Sequence, residues 1–236
     1  MTKTAWVFPG QGSQALGMGI DLLNIPSAKE KFEQAAAILG WSVTEICESE
    51  EARLSRTLYT QPSLYVIESI LADILKAKGQ KPDLVAGHSL GEYIALYVAG
   101  VFDWSTGLHL VKRRAEIMDS AAGGMMAALL NFDNEQLEKV IAETPDVVIA
   151  NDNSPAQVVI SGTPDAVQTV MSQVKAKRAL PLKVSGAFHS PLMSAAATEF
   201  KEILDAAIFE SAEIPVLSNV DPTPATDAEI LKQRLT

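Results

Sequence analysis

A serine framed by glycines, between a predicted strand and a predicted helix, constrains the fold of this chain most strongly. The pentapeptide is Gly87-His88-Ser89-Leu90-Gly91, with an apolar run at 84–86 before it and a helix-favouring segment at 92–99 after it. The outer glycines leave room for a tight turn that exposes the serine hydroxyl beside the N–H groups that open the helix. This segment, called the elbow below, predicts an α/β fold with Ser89 as a nucleophile. A serine that serves only the turn is the alternative.

Segments around the elbow also alternate between strand and helix. Residues 5–8 are predicted to form a short buried strand, which runs into a glycine-rich loop. Helical periodicity extends over 28–40 and 62–79, where Pro62 suits the first helical position. Another helix is predicted from Ser105, as N-cap, to residue 121. This alternation favours an α/β-hydrolase-like unit with a parallel sheet.

A different order of elements, βαββαβ, follows in the middle of the chain. Its predicted strands and helices are, in order, 126–130, 134–143, 147–150, 157–161, 164–176 and 178–184. This order is the signature of a ferredoxin-like unit. No linker-like stretch separates it from its surroundings, so we expect an insertion at 124–186. The α/β-hydrolase-like core would then be discontinuous, formed by residues 1–123 and 187–236.

Composition narrows the choice of partners and compartment. The chain is 47% hydrophobic with no apolar run of membrane-spanning length, and its net charge of −10 argues against nucleic acid as a partner. An acidic partner would need a local basic patch. The single cysteine, Cys47, excludes an internal disulfide framework and a zinc-site spacing. With no secretory signal at the N-terminus, we expect a cytoplasmic protein without a bound metal.

A serine nucleophile needs a base, and the chain has three histidines. His88 adjoins Ser89 inside the elbow, so its side chain should point away from the hydroxyl, and His109 lies on a predicted helix among positions that face both ways. His189 lies where a glycine-bearing loop meets a helix start, with Ser190 as N-cap and Pro191 at the first helical position. We therefore predict His189 as the general base, with a structural histidine as the alternative.

One arginine falls on an apolar helix stripe. Arg114 lies three or four residues from Leu110, Val111, Ile117 and Met118 on the 105–121 helix. A guanidinium in such surroundings needs an anionic partner, and its planar fork suits a carboxylate. That partner is either an internal Asp or Glu, in a structural salt bridge, or the carboxylate of a substrate.

Three glutamines lie in or beside predicted loops that are distant from Ser89 in the sequence. Gln11 and Gln14 lie in the loop after the first strand, and Gln61 immediately precedes a predicted helix start. Loop glutamines usually meet solvent. Next to a serine elbow, however, a loop N–H such as that of Gln11 can supply the second oxyanion donor, with the first from Leu90.

Together these segments resemble the malonyl-CoA:acyl carrier protein transacylase family, the acyltransferase of bacterial fatty-acid synthesis. The segments that carry the resemblance are Phe8-Pro9-Gly10-Gln11-Gly12-Ser13-Gln14, Thr60-Gln61-Pro62, Gly87-His88-Ser89-Leu90-Gly91-Glu92-Tyr93, Arg114 with Met118, Asn151-Asp152-Asn153-Ser154-Pro155-Ala156-Gln157 and Ala187-Phe188-His189-Ser190. They follow one another in the order of the family, from Thr4 to the last residues.

The resemblance implies a ping-pong transfer of a malonyl group. Malonyl-CoA binds with its carboxylate on Arg114, and Ser89, deprotonated by His189, attacks the thioester. Backbone N–H groups of Gln11 and Leu90 hold the oxyanion, and the phosphopantetheine thiol of acyl carrier protein then takes the malonyl group. The resemblance further implies that bulk at Phe188 leaves little space for an α-methyl group. The other residues that it implies in substrate binding are Gln61, Asn151 and Asn153.

The resemblance also implies the partners. These are malonyl-CoA, as substrate rather than cofactor, and acyl carrier protein, with no nucleic acid or membrane; we expect a monomer. The basic residues available for an acidic carrier protein are Lys112, Arg113, Lys175, Lys177, Arg178 and Lys183. Family members usually continue for some tens of residues beyond this point, with a segment that helps to orient the catalytic histidine. A thioester hydrolase and a truncated, weakly active homologue that binds carrier protein remain alternatives.

Overall fold

The protein is described by a computed structural model that covers residues 3–121, 123–184 and 186–235. The chain divides into two compact units, the first comprising Met1–Glu116 and Phe200–Thr236 and the second Ile117–Glu199. The predicted domain boundaries at 124–186 stay a prediction. Each unit has its own sheet, and each is described separately below.

The first unit contains a short parallel sheet surrounded by helices. Its strands are Ala5–Phe8 (β1), Leu84–Gly87 (β2) and Val216–Leu217 (β7). The helices along this part of the chain are Pro26–Leu39 (α1), Val43–Cys47 (α2), Glu51–Leu54 (α3), Thr57–Ala77 (α4), Gly91–Val98 (α5), Trp104–Ser120 (α6) and Ala228–Gln233 (α10). A 3-10 helix at Ile20–Asn24 precedes α1.

Strand β2 lies at the centre of the parallel sheet, in the order β1-β2-β7. The register pairs Phe8 with Gly87 and Val85 with Val216. Because the strands are parallel, their carboxyl ends meet at one edge, where ligands bind in open α/β sheets. Val85 on β2 and Ile94 on α5 are fully buried, and each such side chain contributes about 1.5–3 kcal/mol. The elbow therefore extends from the best-anchored strand of the unit.

The second unit is a ferredoxin-like fold. Its elements are Met125–Phe132 (β3), Asn134–Glu143 (α7), Val147–Ser154 (β4), Gln157–Gly162 (β5), Pro164–Gln173 (α8) and Ala176–Pro181 (β6), followed by a 3-10 helix at Pro191–Met193. Helix α9, Ser194–Ala206, begins in this unit, and its residues from Phe200 onward belong to the first unit. The four strands form an antiparallel sheet in the order β4-β5-β3-β6. Leu129, Ile160 and Val167 are fully buried in its core, between the sheet and α7 and α8. The predicted fold class is confirmed.

Two predicted helix starts were wrong. Helix α4 begins at Thr57, and Pro62 lies inside it, where its missing N–H removes one hydrogen bond of the helix. The N–H of Thr60 already donates to the carbonyl of Arg56 at 2.8 Å, so the first turn precedes the proline. Helix α6 begins at Trp104 rather than after Ser105. Its first turn is capped by Asp103, whose carboxylate accepts from the N–H of Thr106 at 2.7 Å.

Strand ends in the second unit also differ from the prediction. The predicted strand ends at residue 150, but β4 continues through Asn151 and Asn153 to Ser154. Irregular pairing with β5 accompanies this extension, with register shifts at Ile149/Asn151 and Asp152/Ser154. Polar residues are poor predictors of a strand that is exposed on one side, because cross-strand pairing rather than burial holds it.

Helix α4 carries a buried acid. Glu68 is 8% exposed, and within the described part of the chain neither of its carboxylate oxygens has a hydrogen-bond partner. Burial raises the pKa of Glu68 from its ordinary value of 4.5 to about 8. Between these two values the folded chain keeps a proton that the unfolded chain releases. The free energy of unfolding must therefore fall as the pH rises through this range, and it levels off above it.

We expect Glu68→Gln to remove this slope. The variant should gain stability relative to the wild type as the pH rises from about 5 to about 8, by a few kcal/mol at the upper end, since each pKa unit is worth about 1.4 kcal/mol. Urea unfolding across this pH range measures the difference. Glu33→Gln, on the exposed face of α1, is the matched control. A pH-independent difference at Glu68 would contradict the prediction.

Candidate active site

Ser89 lies at the predicted strand–turn–helix junction. Strand β2 ends at Gly87, α5 begins at Gly91, and Ser89 between them has a φ of +50°. Such a backbone conformation costs a non-glycine residue about 1–3 kcal/mol and persists only when its surroundings enforce it. The predicted elbow geometry is present, and the role of Ser89 as nucleophile stays a prediction.

Close backbone packing enforces this turn. A Cβ atom at Gly87 would lie 1.9 Å from the carbonyl carbon of Gly91, and one at Gly91 would lie 2.2 Å from the carbonyl oxygen of Phe8. Neither position has space for a side chain. The first loop packs equally closely, because a Cβ at Gly10 would lie 2.3 Å from the carbonyl oxygen of His88. The loop that contains Gln11 is therefore held against the elbow.

The backbone donors around the elbow fall into two groups. The N–H of Ser89 donates to Oδ1 of Asn219 at 3.0 Å and is thus already used. Within residues 3–121, 123–184 and 186–235, no acceptor is assigned to the N–H of Leu90 or to that of Gln11. These two N–H groups are the ones that sequence reasoning predicted as oxyanion donors.

Arg114 reaches the elbow from α6. Its Nη2 donates to Oγ of Ser89 at 3.2 Å, its Nη1 donates to Oε1 of Gln61 at 2.7 Å, and its guanidinium lies 5.6 Å from the ring centre of Tyr93. No carboxylate of the described residues lies within salt-bridge distance of it. The buried Glu92 interacts with it electrostatically. The alternative of an internal salt bridge therefore has no support among the described side chains.

Gln61, which accepts a hydrogen bond from Arg114, is itself held by further hydrogen bonds. Gln61 is 1% exposed and belongs to the second turn of α4, not to a loop before a helix. Its Nε2 lies 3.5 Å from Oε1 of Gln11, a long hydrogen bond, and Nε2 of Gln11 donates to Oγ1 of Thr57 at 3.1 Å. These hydrogen bonds orient the side chain of Gln61 so that its Oε1 accepts from Arg114.

His189 belongs to the second unit. It is exposed with a φ of +56°, at the end of a loop whose first predicted residue, Ser185, lies outside the described residues. The predicted N-cap is confirmed: Oγ of Ser190 accepts from the N–H of Leu192 at 3.3 Å, and Pro191 begins a 3-10 helix. Phe188 is 4% exposed and packs against Met126, Ala128 and Val159. The catalytic role of His189 stays a prediction.

The predicted basic residues differ in how much they are engaged. Lys112 donates to the carbonyl of Ile38 at 2.8 Å, and Arg113 forms an ion pair with Glu116. Lys177 and Arg178 lie on β6, an edge strand of the antiparallel sheet, and are exposed. The edge strand is therefore the more accessible of the two basic segments.

Sequence reasoning missed Asn219 altogether and assigned no role to Glu92. Asn219 lies two residues after the end of β7, whose carboxyl end lies at the same edge of the parallel sheet as the elbow. Its position at the end of a parallel strand was the available signal, but a strand of two residues gives almost no sequence pattern.

A serine on a strained strand-to-helix turn, with a guanidinium that donates to its hydroxyl, is the arrangement of a protein that transfers acyl groups. The model of the acyl transferase domain family matches residues 5–233. A malonyl CoA-acyl carrier protein transacylase of Synechocystis sp. is 61% identical over 99% of this chain and 80% of its own length. The transacylase of Escherichia coli is 39% identical over 100% of this chain and 80% of its own length.

Solved structures agree with these sequence relatives. The crystal structure of the Synechocystis sp. malonyl-CoA:ACP transacylase superposes with a TM-score of 0.98 over 99% of this chain and 80% of that one. A malonyl-transacylase in complex with a type II PKS acyl-carrier protein is 37% identical, with a TM-score of 0.94 over 99% of this chain and 80% of that one. The chain belongs to the malonyl CoA-acyl carrier protein transacylase family.

The elbow itself can be tested through its packing. Gly87→Ala should lower the free energy of unfolding by about 3 kcal/mol or more, because the new methyl group meets backbone that has no room to move. Gly79→Ala is the control for backbone strain alone, since nothing lies within 4 Å of its Cβ position and its cost comes from a φ of +78°, a strain that Gly87 does not have. It should cost only about 1–2 kcal/mol. Equal losses in urea unfolding would show that the close approach is not a constraint.

Proposed function

We propose that this chain transfers a malonyl group from malonyl-CoA to the phosphopantetheine thiol of acyl carrier protein. The observation that carries the proposal is Arg114, a cation hydrogen-bonded to the Ser89 hydroxyl with no protein carboxylate in salt-bridge distance among the described residues. A malonyl ester on Ser89 brings its own carboxylate to that place. The names of the relatives and the carrier-protein complex of a related transacylase support this assignment.

In the first half-reaction Oγ of Ser89 attacks the thioester carbonyl of malonyl-CoA. The Oγ–C bond forms, the proton of the hydroxyl passes to His189, and the carbonyl oxygen becomes an oxyanion. The N–H groups of Leu90 and Gln11 stabilise it, since both are without a protein acceptor among the described residues. The C–S bond then breaks, and the CoA thiolate takes the proton from His189.

The second half-reaction reverses these steps with the carrier-protein thiol. His189 deprotonates the thiol, the thiolate attacks the malonyl ester, and Ser89 regains its proton as the C–O bond breaks. His189 takes this role on the basis of its sequence motif. CoA acts as a substrate, so the proposed mechanism uses no cofactor.

Arg114 selects for an acyl group that bears an acid. Its fork donates to a carboxylate through two N–H groups, and Gln61 fixes its orientation from behind. In this proposal Phe188 limits space near the α-carbon, and Asn151 and Asn153 bind substrate. The acidic carrier protein binds to basic residues, which are Lys175, Lys177, Arg178 and Lys183.

No helix among the described residues is long and apolar enough to span a bilayer. The single, buried Cys47 supports a reducing, cytoplasmic location.

Transfer of the malonyl group to holo acyl carrier protein tests the proposal. The wild type should produce malonyl-carrier protein, visible by mass spectrometry of the carrier, and Ser89→Ala should abolish it. Ser172→Ala, an exposed serine on α8, should retain full transfer. Release of free malonate at the rate of CoA release, with no malonyl-carrier protein, would indicate a thioester hydrolase instead.

The choice of acyl group should depend on Arg114. We expect Arg114→Ala to lower kcat/KM for malonyl-CoA by about 30- to 1,000-fold, because about 2–4 kcal/mol is lost with a charged partner. Transfer from acetyl-CoA, which has no carboxylate, should fall much less. Arg53→Ala, at an exposed position of α3, serves as the control. Equal losses with both acyl groups would rule out the carboxylate role.

A further inference from the structure

We propose that Asn219 is a positioning residue that holds the serine elbow in its strained, reactive conformation. The transfer assay used to test this role rests on the proposed function. The hydrogen bonds of Asn219 that support the role do not depend on which acyl group is transferred. Asn219 follows β7, far from the elbow in sequence, and it is exposed, so its hydrogen bonds rather than burial determine its position.

The side-chain amide of Asn219 closes the turn on both sides of His88. Oδ1 accepts from the N–H of Ser89 at 3.0 Å, and Nδ2 donates to the carbonyl of Gly87 at 3.1 Å. The two backbone groups have opposite polarity, so one planar amide satisfies both, in one orientation only. A carboxylate or a hydrocarbon of the same shape cannot make the pair.

Glu92 holds the side-chain amide of Asn219 in this orientation. Its Oε2 accepts from Nδ2 of Asn219 and also from the backbone N–H of Asn219 at 3.2 Å. Glu92 is 3% exposed, and burial raises the pKa of its carboxyl, although the hydrogen bonds from Asn219 and the charge of Arg114 oppose this shift. The hydroxyl of Tyr93 also interacts with it electrostatically. Glu92, in the first turn of α5, thus holds the side-chain amide of Asn219, and this amide in turn holds the backbone of Ser89.

This arrangement has a consequence for the oxyanion. Because Asn219 uses the N–H of Ser89, that group cannot stabilise the developing charge, and the task falls to the N–H groups of Leu90 and Gln11. Asn219 also opposes relaxation of Ser89 from its φ of +50°. Loss of Asn219 should therefore slow the chemical step more than it weakens binding of malonyl-CoA.

Asn219→Asp is the sharpest test, because it keeps the shape and the acceptor but removes the donor and places a second acid beside Glu92. We expect kcat for malonyl transfer to fall on the order of 10- to 100-fold with little change in KM. Asn24→Asp, at an exposed position of the first 3-10 helix, should leave both unchanged. The double variant Glu92→Gln/Asn219→Asp should recover part of kcat, since the amide introduced at position 92 supplies a donor toward the new acid.

Labelling of Ser89 by a fluorophosphonate separates this inference from the proposed function. Its rate should fall in Asn219→Asp and recover in the double variant, with folded fractions matched by circular dichroism. If the wild type labels but transfers no malonyl group, the proposed function fails while this inference is still tested by labelling. Unchanged labelling in Asn219→Asp, a raised KM with unchanged kcat, or no recovery in the double variant would overturn it.

Discussion

The close approach of two backbone segments, at Gly87 and Gly91, is the constraint on which the first unit depends. With no Cβ at either residue, strand β2 can turn directly into helix α5, and Ser89 is left with a positive φ and its hydroxyl at the carboxyl edge of the sheet. The same absence of side chains lets the first loop pack against the elbow at Gly10. Hydrophobic burial of β2 and α5 supplies the free energy that keeps this strained turn in place.

Next to the elbow, the cationic Arg114 has no carboxylate within salt-bridge distance among the described residues. Arg114 is oriented by Gln61 and by the ring of Tyr93, yet its hydrogen bonds within the described residues go to neutral groups. The nearby acid, Glu92, is instead engaged with Asn219. In the proposed function a substrate carboxylate completes this arrangement and makes Ser89 selective for a malonyl group.

Local sequence patterns predicted the elbow, the α/β class and the βαββαβ order, because glycine spacing and periodicity act over a few residues. The helical stripe placed Arg114 correctly on an apolar face, but its partner Gln61 could not be placed, since Pro62 was expected to start α4 rather than lie within it. Asn219 was missed because its role depends on pairing of β7 with β2 across more than a hundred residues of sequence. Such pairing leaves no local pattern. The roles of His189 and Phe188 stay predictions from their motif.

In the proposed reaction the malonyl group passes through an ester on Ser89. Brief exposure of the protein to malonyl-CoA without carrier protein, followed by intact mass measurement and peptide mapping, tests it most directly. We expect a single malonyl adduct on the peptide that contains residues 87–91, which is lost when holo carrier protein is added and is absent from Ser89→Ala. A malonyl adduct on another residue, or transfer to carrier protein with no adduct on the enzyme at any time, would contradict it.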